Sequence, residues 1–323
     1  MIKSPDQLCP EKKDRIYVFL CGPIQGAPDW QSEVPDIEGV TWINPKREGM
    51  DGFDWEEQVK WETMGLSISD FVLTWIPPMK EEIPGRDYAQ TTKIEIMENL
   101  CLGKNIILGI DPSIHTRRYL AQKYKTYEPK EIVYTSLEDC LVRLQERIKE
   151  RNGELFFTSD THFNQERTLE LNKRPFRNLL DMNLTMIRNW NKVVSPKDTV
   201  YHLGDFGDFS YAKYLNGNIK LLKGNYERND PSLEIPDYIK VFDSPFIHLK
   251  VNDKIMFDLC HEPLNSPRDC FTLFGHIHGK QWYKRFGLDV GVDPNHFTPL
   301  SIDLVLWRES AIENYSDDEV FCY

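Results

Sequence analysis

The stretch Phe156-Phe157-Thr158-Ser159-Asp160-Thr161-His162 runs an apolar strand straight into Asp-x-His. It places a carboxylate and an imidazole just past the strand's carboxyl end. One Asp-x-His is common by chance, but four further segments repeat the arrangement in order. They are Gly204-Asp205 after residues 200–203, Gly224-Asn225 after 221–223, His261 after 255–260, and Gly275-His276-Ile277-His278. Open sheets hold their ligands at such strand ends. Any one of these histidines alone reads as a hydrogen-bonded core or surface residue; the ordered set reads as a site for two divalent ions. Imidazole and carboxylate together favour manganese, iron, zinc or nickel over calcium, and one carboxylate can bridge two ions ~3.5–4 Å apart.

These motifs resemble the calcineurin-like metallophosphoesterases of bacteria and phages, over about residues 153–310. The resemblance implies an αββα sandwich and two ions, manganese first among the candidates. Asp160, His162 and His278 would hold the first ion, Asp205 would bridge, and Asn225, His261 and His276 would hold the second. Water made acidic by the ions would supply the nucleophile for phosphoester hydrolysis. Tyr226 departs from the family, which has a histidine there as proton donor to the leaving group. A phenol is the poorer acid at neutral pH, so Tyr226 as catalytic residue implies slow turnover, a good leaving group or a relocated acid. Lys223 and Arg228 flank Gly224-Asn225 and are candidates for substrate phosphate or for a solvated surface. Arg174, in Lys173-Arg174-Pro175-Phe176, recurs in the phosphoesterases resembled and is a further phosphate candidate. His202 and Cys260 read as core residues.

The first half alternates strands and helices. Apolar runs at 16–21, 40–43, 71–76 and 105–110 read as strands, with a short one at 132–134. Helical spacing marks 54–66 with Asp54 as N-cap, 91–102 closed by Gly103, and 114–124. It also marks a last helix opened by Thr135-x-x-Glu138, with Leu137, Leu141, Leu144 and Ile148 on one face. Such alternation predicts an α/β fold with a parallel sheet flanked by helices. The polar run 151–154 breaks it, giving domains at 1–150 and 153–323. Residues 77–89, with three prolines and no periodicity, form a loop of the length that serves as a lid. Asp70 before the third strand and Glu95 after this loop read either as surface charge near helix starts or as carboxylates of a sugar site.

Residues 19–24 (Phe-Leu-Cys-Gly-Pro-Ile), Trp30, Asn44-Pro45, Gln58-Val59-x-Trp61-Glu62, Ser69-Asp70, Trp75 and Thr91-Thr92-x-x-Glu95 resemble a nucleoside 2-deoxyribosyltransferase domain. The resemblance covers about 16–125 and implies a Rossmann-like fold. Glu95 would form a covalent deoxyribosyl-enzyme, Asp70 would contact the base or assist its departure, Glu62 would bind sugar hydroxyls, and Gly22 would let backbone approach the ligand. Two departures are Phe19, where many relatives have tyrosine, and Glu62, where aspartate is common. Relatives often borrow side chains from a neighbouring subunit, so a homo-oligomer is compatible with the sequence.

The net charge of −12 opposes unaided binding to long nucleic acid or an anionic membrane. Seven scattered cysteines without a CxxC or framework spacing, and no signal-peptide or membrane-length apolar run, point to a reduced cytoplasm. Residues 314–323 read as an acidic tail. The expected function is a bifunctional nucleotide-processing enzyme: metal-dependent phosphoester hydrolysis joined to N-glycosidic cleavage or deoxyribosyl transfer on a nucleoside or nucleotide. Two alternatives stay open. One is a phosphodiesterase that degrades a nucleotide signal bound by the first domain. The other is an interaction protein whose ion site is structural.

Overall fold

The computed structural model describes residues 1–9, 14–47, 49, 54–150 and 153–315. The chain divides into two compact units, Met1–Asn152 and Gly153–Tyr323. Arg151 and Asn152, within the boundary run, lie outside the described residues, as do Cys322 and the rest of 316–323.

In the first unit β1 (Ile2–Lys3), β2 (Ile16–Cys21), β3 (Val40–Asn44), β4 (Phe71–Ile76) and β5 (Ile106–Ile110) form one sheet, in the order β1-β3-β2-β4-β5. Every pairing is parallel. β4 and β5 are buried along their whole length, as their uninterrupted apolar sequences require of strands covered on both faces. The helices are α1 (Trp55–Ile68), α2 (Gln90–Cys101), α3 (Arg117–Tyr127) and α4 (Leu137–Glu150). The Asp54 carboxylate caps α1 by accepting from the amides of Glu56 and Glu57, at 2.7 and 3.4 Å. On α4 the expected stripe packs onto the sheet core: Cys140 and Leu144 are buried, with Leu137, Leu141 and Ile148 beside them.

Two local expectations fail here. The hydroxyl that opens α4 is Ser136, not Thr135; it accepts from the Asp139 amide (3.1 Å) and donates to the Asp139 carboxylate (2.7 Å). A cap stands directly before the first helical residue, and Ser136 directly precedes Leu137. The expected strand at 132–134 reduces to a single bridge between Tyr134 and Gly109, with Ile132 left 58% exposed.

The second unit has two five-stranded sheets. The first contains β6 (Leu155–Thr158), β7 (Thr199–His202), β8 (Asn218–Leu222), β9 (Lys240–Phe242) and β15 (Leu300–Ser301), in the order β15-β6-β7-β8-β9. The second contains β10 (Phe246–Lys250), β11 (Met256–Cys260), β12 (Phe271–Phe274), β13 (Tyr283–Lys284) and β14 (Gly287–Asp289), in the order β10-β11-β12-β14-β13. β6 to β9 run parallel, as do β11, β12 and β14. The edge strands β15, β10 and β13 are antiparallel. Phe157, Tyr201 and Leu222 of the first sheet share a core with Phe257, Leu259 and Leu288 of the second. Phe157 sits at that junction, stacked on Tyr201 (6.0 Å) and edge-on to Phe257 (5.9 Å).

α6 (Leu179–Val193) reaches the first sheet through Trp190, which stacks by His202 (6.5 Å) and donates to the Asn216 carbonyl (3.0 Å). The last helix, α8 (Ile302–Tyr315), packs on β6, β14 and β15 and buries Val305. It takes in residues 314 and 315, which the sequence assigned to the tail. No helix among the described residues is long and apolar enough to cross a membrane.

Phe157 is fully buried between two sheets, so Phe157→Ala is expected to destabilise the protein by ~3–5 kcal/mol. Urea unfolding of wild type and variant measures the difference.

Candidate active sites

In the first unit the strand order reverses direction between β2 and β4, where open parallel sheets form a crevice at their carboxyl ends. β2 ends there in Cys21. Its thiol donates to Glu95 Oε2 of α2 at 3.3 Å. Gln58 of α1 donates from Nε2 to Glu62 Oε1 (2.8 Å) and to the Pro45 carbonyl (3.0 Å), and Ser4 fixes its other end (2.7 Å). Burial raises the Glu95 carboxyl above its usual range; the charges of Glu62 and Glu98 add to this and the Cys21 hydrogen bond opposes it. Burial also raises Glu62, against the hydrogen bond from Gln58. Cys21 is pushed well up by burial and by the Glu95 charge, so it stands as a neutral thiol donor.

The loop before α2 folds onto the turn after β2. Lys80 and Glu81 amides donate to the Gly26 carbonyl (2.8 and 3.3 Å), Arg86 Nη1 to Gln25 Oε1, and the Tyr88 hydroxyl to the Pro77 carbonyl (2.9 Å). It enters α2 through Ala89 in the left-handed region (φ 55°), a strained conformation for a residue with a Cβ.

Two expected site residues lie elsewhere or act otherwise. Asp70 precedes β4, opposite Tyr17, whose amide donates to its Oδ2 (2.7 Å). Tyr17 is four residues before Cys21 on β2, so Asp70 stands about 13 Å along the sheet from the Glu95 end. It ties β2 to β4 at the opposite edge. Gly22 is required by the protein itself: a Cβ there would lie 2.4 Å from the Trp75 carbonyl and 2.5 Å from the Trp30 ring. Cys21, which sequence reasoning did not single out, is the residue that touches Glu95. Of the tryptophans, Trp30, Trp42 and Trp75 are core and Trp55 is 65% exposed.

In the second unit every expected ion ligand follows the carboxyl end of a parallel strand: Asp160 and His162 after β6, Asp205 after β7, Asn225 after β8, His261 after β11, His276 and His278 after β12. They gather into two groups, Asp160–His162–His278 and Asp205–His261–His276, with ligand atoms in each within 4.8 Å of one another. Asp205 Oδ2 is 3.8 Å from His162 Nε2 and 3.3 Å from His261 Nε2, between the groups. Asn225 Oδ1 lies 3.0 Å from both His261 Nε2 and His276 Nδ1. Five of these residues, Asp160, His162, Asp205, His276 and His278, have left-handed backbone with φ between 49° and 72°. None is glycine, and such strain concentrates at functional sites. Gly275 and Gly224 allow close approach, since a Cβ on either would come within 2.5 Å of an Asp160 or Asp205 carboxylate oxygen.

The donor set fits divalent ions. Asp160 Oδ1 and His162 Nε2 are buried with no hydrogen-bond partner, and they face each other at 4.0 Å. A bound ion or water lying between them would satisfy both atoms at once. Each ring is aimed by its other nitrogen: His162 Nδ1 donates to Gln165 Oε1 (2.7 Å), His278 Nδ1 to Asp293 Oδ2 (2.8 Å), and His261 Nδ1 to the Leu203 carbonyl (2.7 Å). Burial lowers the His162 imidazole, favouring the neutral, ligating form. Asp205 is raised by burial, but the His261 hydrogen bond and charge and the Tyr226 amide outweigh this and hold it below its usual range.

Arg174 does not face the site's opening as a phosphate ligand. Its side chain is fully buried, donating to the carbonyls of Asp160 (2.6 Å) and Thr161 (2.8 Å) and to both oxygens of Asp293 (2.9 Å each). Lys223 pairs with Asp243 (3.0 Å) and Arg228 with Glu262 (3.4 Å). Tyr226 is 36% exposed and meets the His162 ring edge-on at 4.9 Å. His202 and Cys260 are fully buried, and His202 Nε2 contacts the Thr161 hydroxyl (2.9 Å). Gln165, Asp293 and Glu227 were not anticipated. Glu227 accepts from the amides of Asp205, Phe206 and Gly224 (2.8–2.9 Å), locking two ligand loops together.

Residues 15–112 match the family model described as "Nucleoside 2-deoxyribosyltransferase like". This stretch, which contains Cys21, Glu62 and Glu95, is nucleoside 2-deoxyribosyltransferase-like. The uncharacterized protein MJ1445 of Methanocaldococcus jannaschii is 29% identical over 170 residues, spanning 47% of this chain and 89% of that protein. The structure of AQ665 from Aquifex aeolicus, a protein of unknown function, is similar at 25% identity and a TM-score of 0.39. It covers 46% of this chain and 96% of that one.

If Arg174 is a structural tie, Arg174→Ala leaves the largely buried Asp293 carboxylate with only His278 and frees the Asp160 and Thr161 carbonyls, and costs ~3–5 kcal/mol of stability. Denaturant unfolding measures it; loss of activity with unchanged stability would instead mark a substrate contact.

Proposed function

We propose that the protein is a nucleotide-processing enzyme with two chemistries, N-glycosidic cleavage or transfer in the first unit and metal-dependent phosphoester hydrolysis in the second. The observation that carries the first is the position of Glu95, a half-buried carboxylate at the carboxyl end of β2, inside the deoxyribosyltransferase-like stretch. Glu95 forms a bond to the anomeric carbon as the glycosidic bond breaks, and the base leaves with the bonding electrons. Glu62, held toward its protonated form by burial, is the neighbouring group able to give the departing base a proton. Water or a second base then takes the sugar from Glu95.

The phosphoester reading is supported by the two convergent ligand groups and the orphaned Asp160 and His162 atoms. Divalent ions bound there would make water acidic and neutralise phosphoryl oxygens. The chain's own residues do the rest. Asp205 lies between the two groups, Asn225 adds a neutral oxygen, and Tyr226 lies at the exposed edge where a leaving group departs. The displacement of Asp70 from Glu95 favours one second reading, in which the first unit binds a nucleotide without cleaving it.

Chromatography of nucleosides, mononucleotides and dinucleotides incubated with Mn²⁺ tests both halves. Free base should appear with wild type and vanish with Glu95→Ala only; phosphate or phosphodiester cleavage should vanish with Asp205→Asn only. Base release that survives Glu95→Ala would remove Glu95 from the chemistry.

The carboxyl shifts add a pH signature. Glu95 must be ionised to attack, so its raised pKa puts the acid limb of base release above the ordinary glutamate value of ~4.3. Because the Cys21 hydrogen bond opposes that rise, Cys21→Ala should move the limb to still higher pH. A pH–rate profile of both proteins reads the shift.

A further inference from the structure

We infer that the amino-terminal segment completes the glycosidic site of the first unit: Ser4, acting through Gln58, is a positioning residue for the Glu62 carboxyl. This rests on the N-glycosidic reading above and deepens it by assigning which oxygen of Glu62 carries the proton and what holds the other.

Parallel pairing brings the segment there. β1 lies beside β3 with Lys3 opposite Asn44, and the Ser4 amide donates to the Asn44 carbonyl at 3.2 Å. Ser4 therefore stands at the carboxyl edge of the sheet, the edge on which β2 ends at Cys21. The segment is also tied to α1, because the Trp61 indole donates to the Asp6 carbonyl at 2.8 Å. Ser4 is outside the deoxyribosyltransferase-like stretch, which begins at residue 15.

The Ser4 hydroxyl is buried and donates to Gln58 Oε1 at 2.7 Å. That bond fixes the Gln58 amide in one of its two orientations. Nε2 then faces the Pro45 carbonyl (3.0 Å) and Glu62 Oε1 (2.8 Å), two acceptors that the reversed amide would meet with its own oxygen. Gln58 and Glu62 stand at i and i+4 of α1, on one helix face. With Oε1 taken by an N–H, the proton of Glu62 sits on Oε2. In base release this proton passes from Oε2 to the departing base, which keeps the electrons of the broken glycosidic bond while Glu95 bonds to the anomeric carbon. Glu62 is left as a carboxylate, and the Gln58 hydrogen bond strengthens as that charge appears. The donor thus favours the transition state over the ground state.

Base release by the full chain from a panel of deoxynucleosides and their 5′-monophosphates, followed by chromatography across pH, tests this. Ser4→Ala should lower kcat by about 2–10-fold, the range of one hydrogen bond, and Gln58→Met by more. The double variant should be no slower than Gln58→Met, since Ser4 acts only through Gln58. The Gln58 hydrogen bond opposes the upward push of burial on Glu62. Its loss should therefore move the alkaline limb of base release, where Glu62 gives up its proton, to higher pH. Glu95 of α2 and Cys21 of β2, the titratable groups on which the Glu62 charge acts, are untouched by both substitutions. Ser4→Thr, which keeps the hydroxyl, should restore the wild-type limb, and with Ser4→Ala it carries the test should Gln58→Met fail to fold. Additive losses in the double variant, or a limb that neither substitution moves, would overturn the inference while sparing the glycosidic reading. Absence of base release from wild type would overturn both.

Discussion

Parallel pairing brings the carboxyl ends of neighbouring strands to one edge of a sheet, and both candidate sites depend on that constraint. In the first unit all four pairings are parallel, so the ends of β2 and β4 lie side by side and α2 can deliver Glu95 to Cys21. In the second unit β6, β7 and β8 end together, and so do β11, β12 and β14. Candidate ligands separated by as many as 118 positions in the chain, from Asp160 to His278, therefore meet within a few ångströms. The antiparallel strands are confined to sheet edges, where they close the sheets without supplying a candidate ligand.

Bringing ligands together has a local cost in backbone strain. Five of the seven candidate ion ligands are left-handed residues with side chains. The surrounding structure over-determines them: Glu227 takes three amides of two ligand loops, and Arg174 takes two carbonyls of the first. A cation that looks like a phosphate reader in the sequence is thus the brace that holds the first ligand loop in shape. Its burial explains why it serves structure: a guanidinium with no exposed surface and four hydrogen bonds to protein oxygens has nothing left for a substrate.

The two sites use burial in opposite senses. Around Glu95 and Glu62 it raises carboxyl pKa values, which suits a nucleophile and a proton donor working near each other. Around Asp205 the His261 imidazole, the Tyr226 amide and the His162 ring together outweigh burial and hold the carboxyl below its usual range, which suits an ion ligand.

The strand ends and the Asp, Asn and His residues that follow them were legible from sequence, because an apolar run that stops at such a residue marks both the strand and its carboxyl end. So was the α4 stripe, since Leu137, Leu141 and Leu144 recur at helical spacing. Asp70 was misplaced by the resemblance, which set it beside Glu95, whereas a residue preceding a parallel strand lies at the end away from the crevice. Tertiary structure alone decided the partners. That Cys21 rather than Asp70 accompanies Glu95, that Asp293 and Gln165 aim the histidines, and that Arg174 faces inward all depend on contacts between distant segments. No local pattern encodes those contacts, because the hydrogen-bonding capacity of an Arg, Asp or Gln is the same wherever it stands and only the fold chooses what it meets.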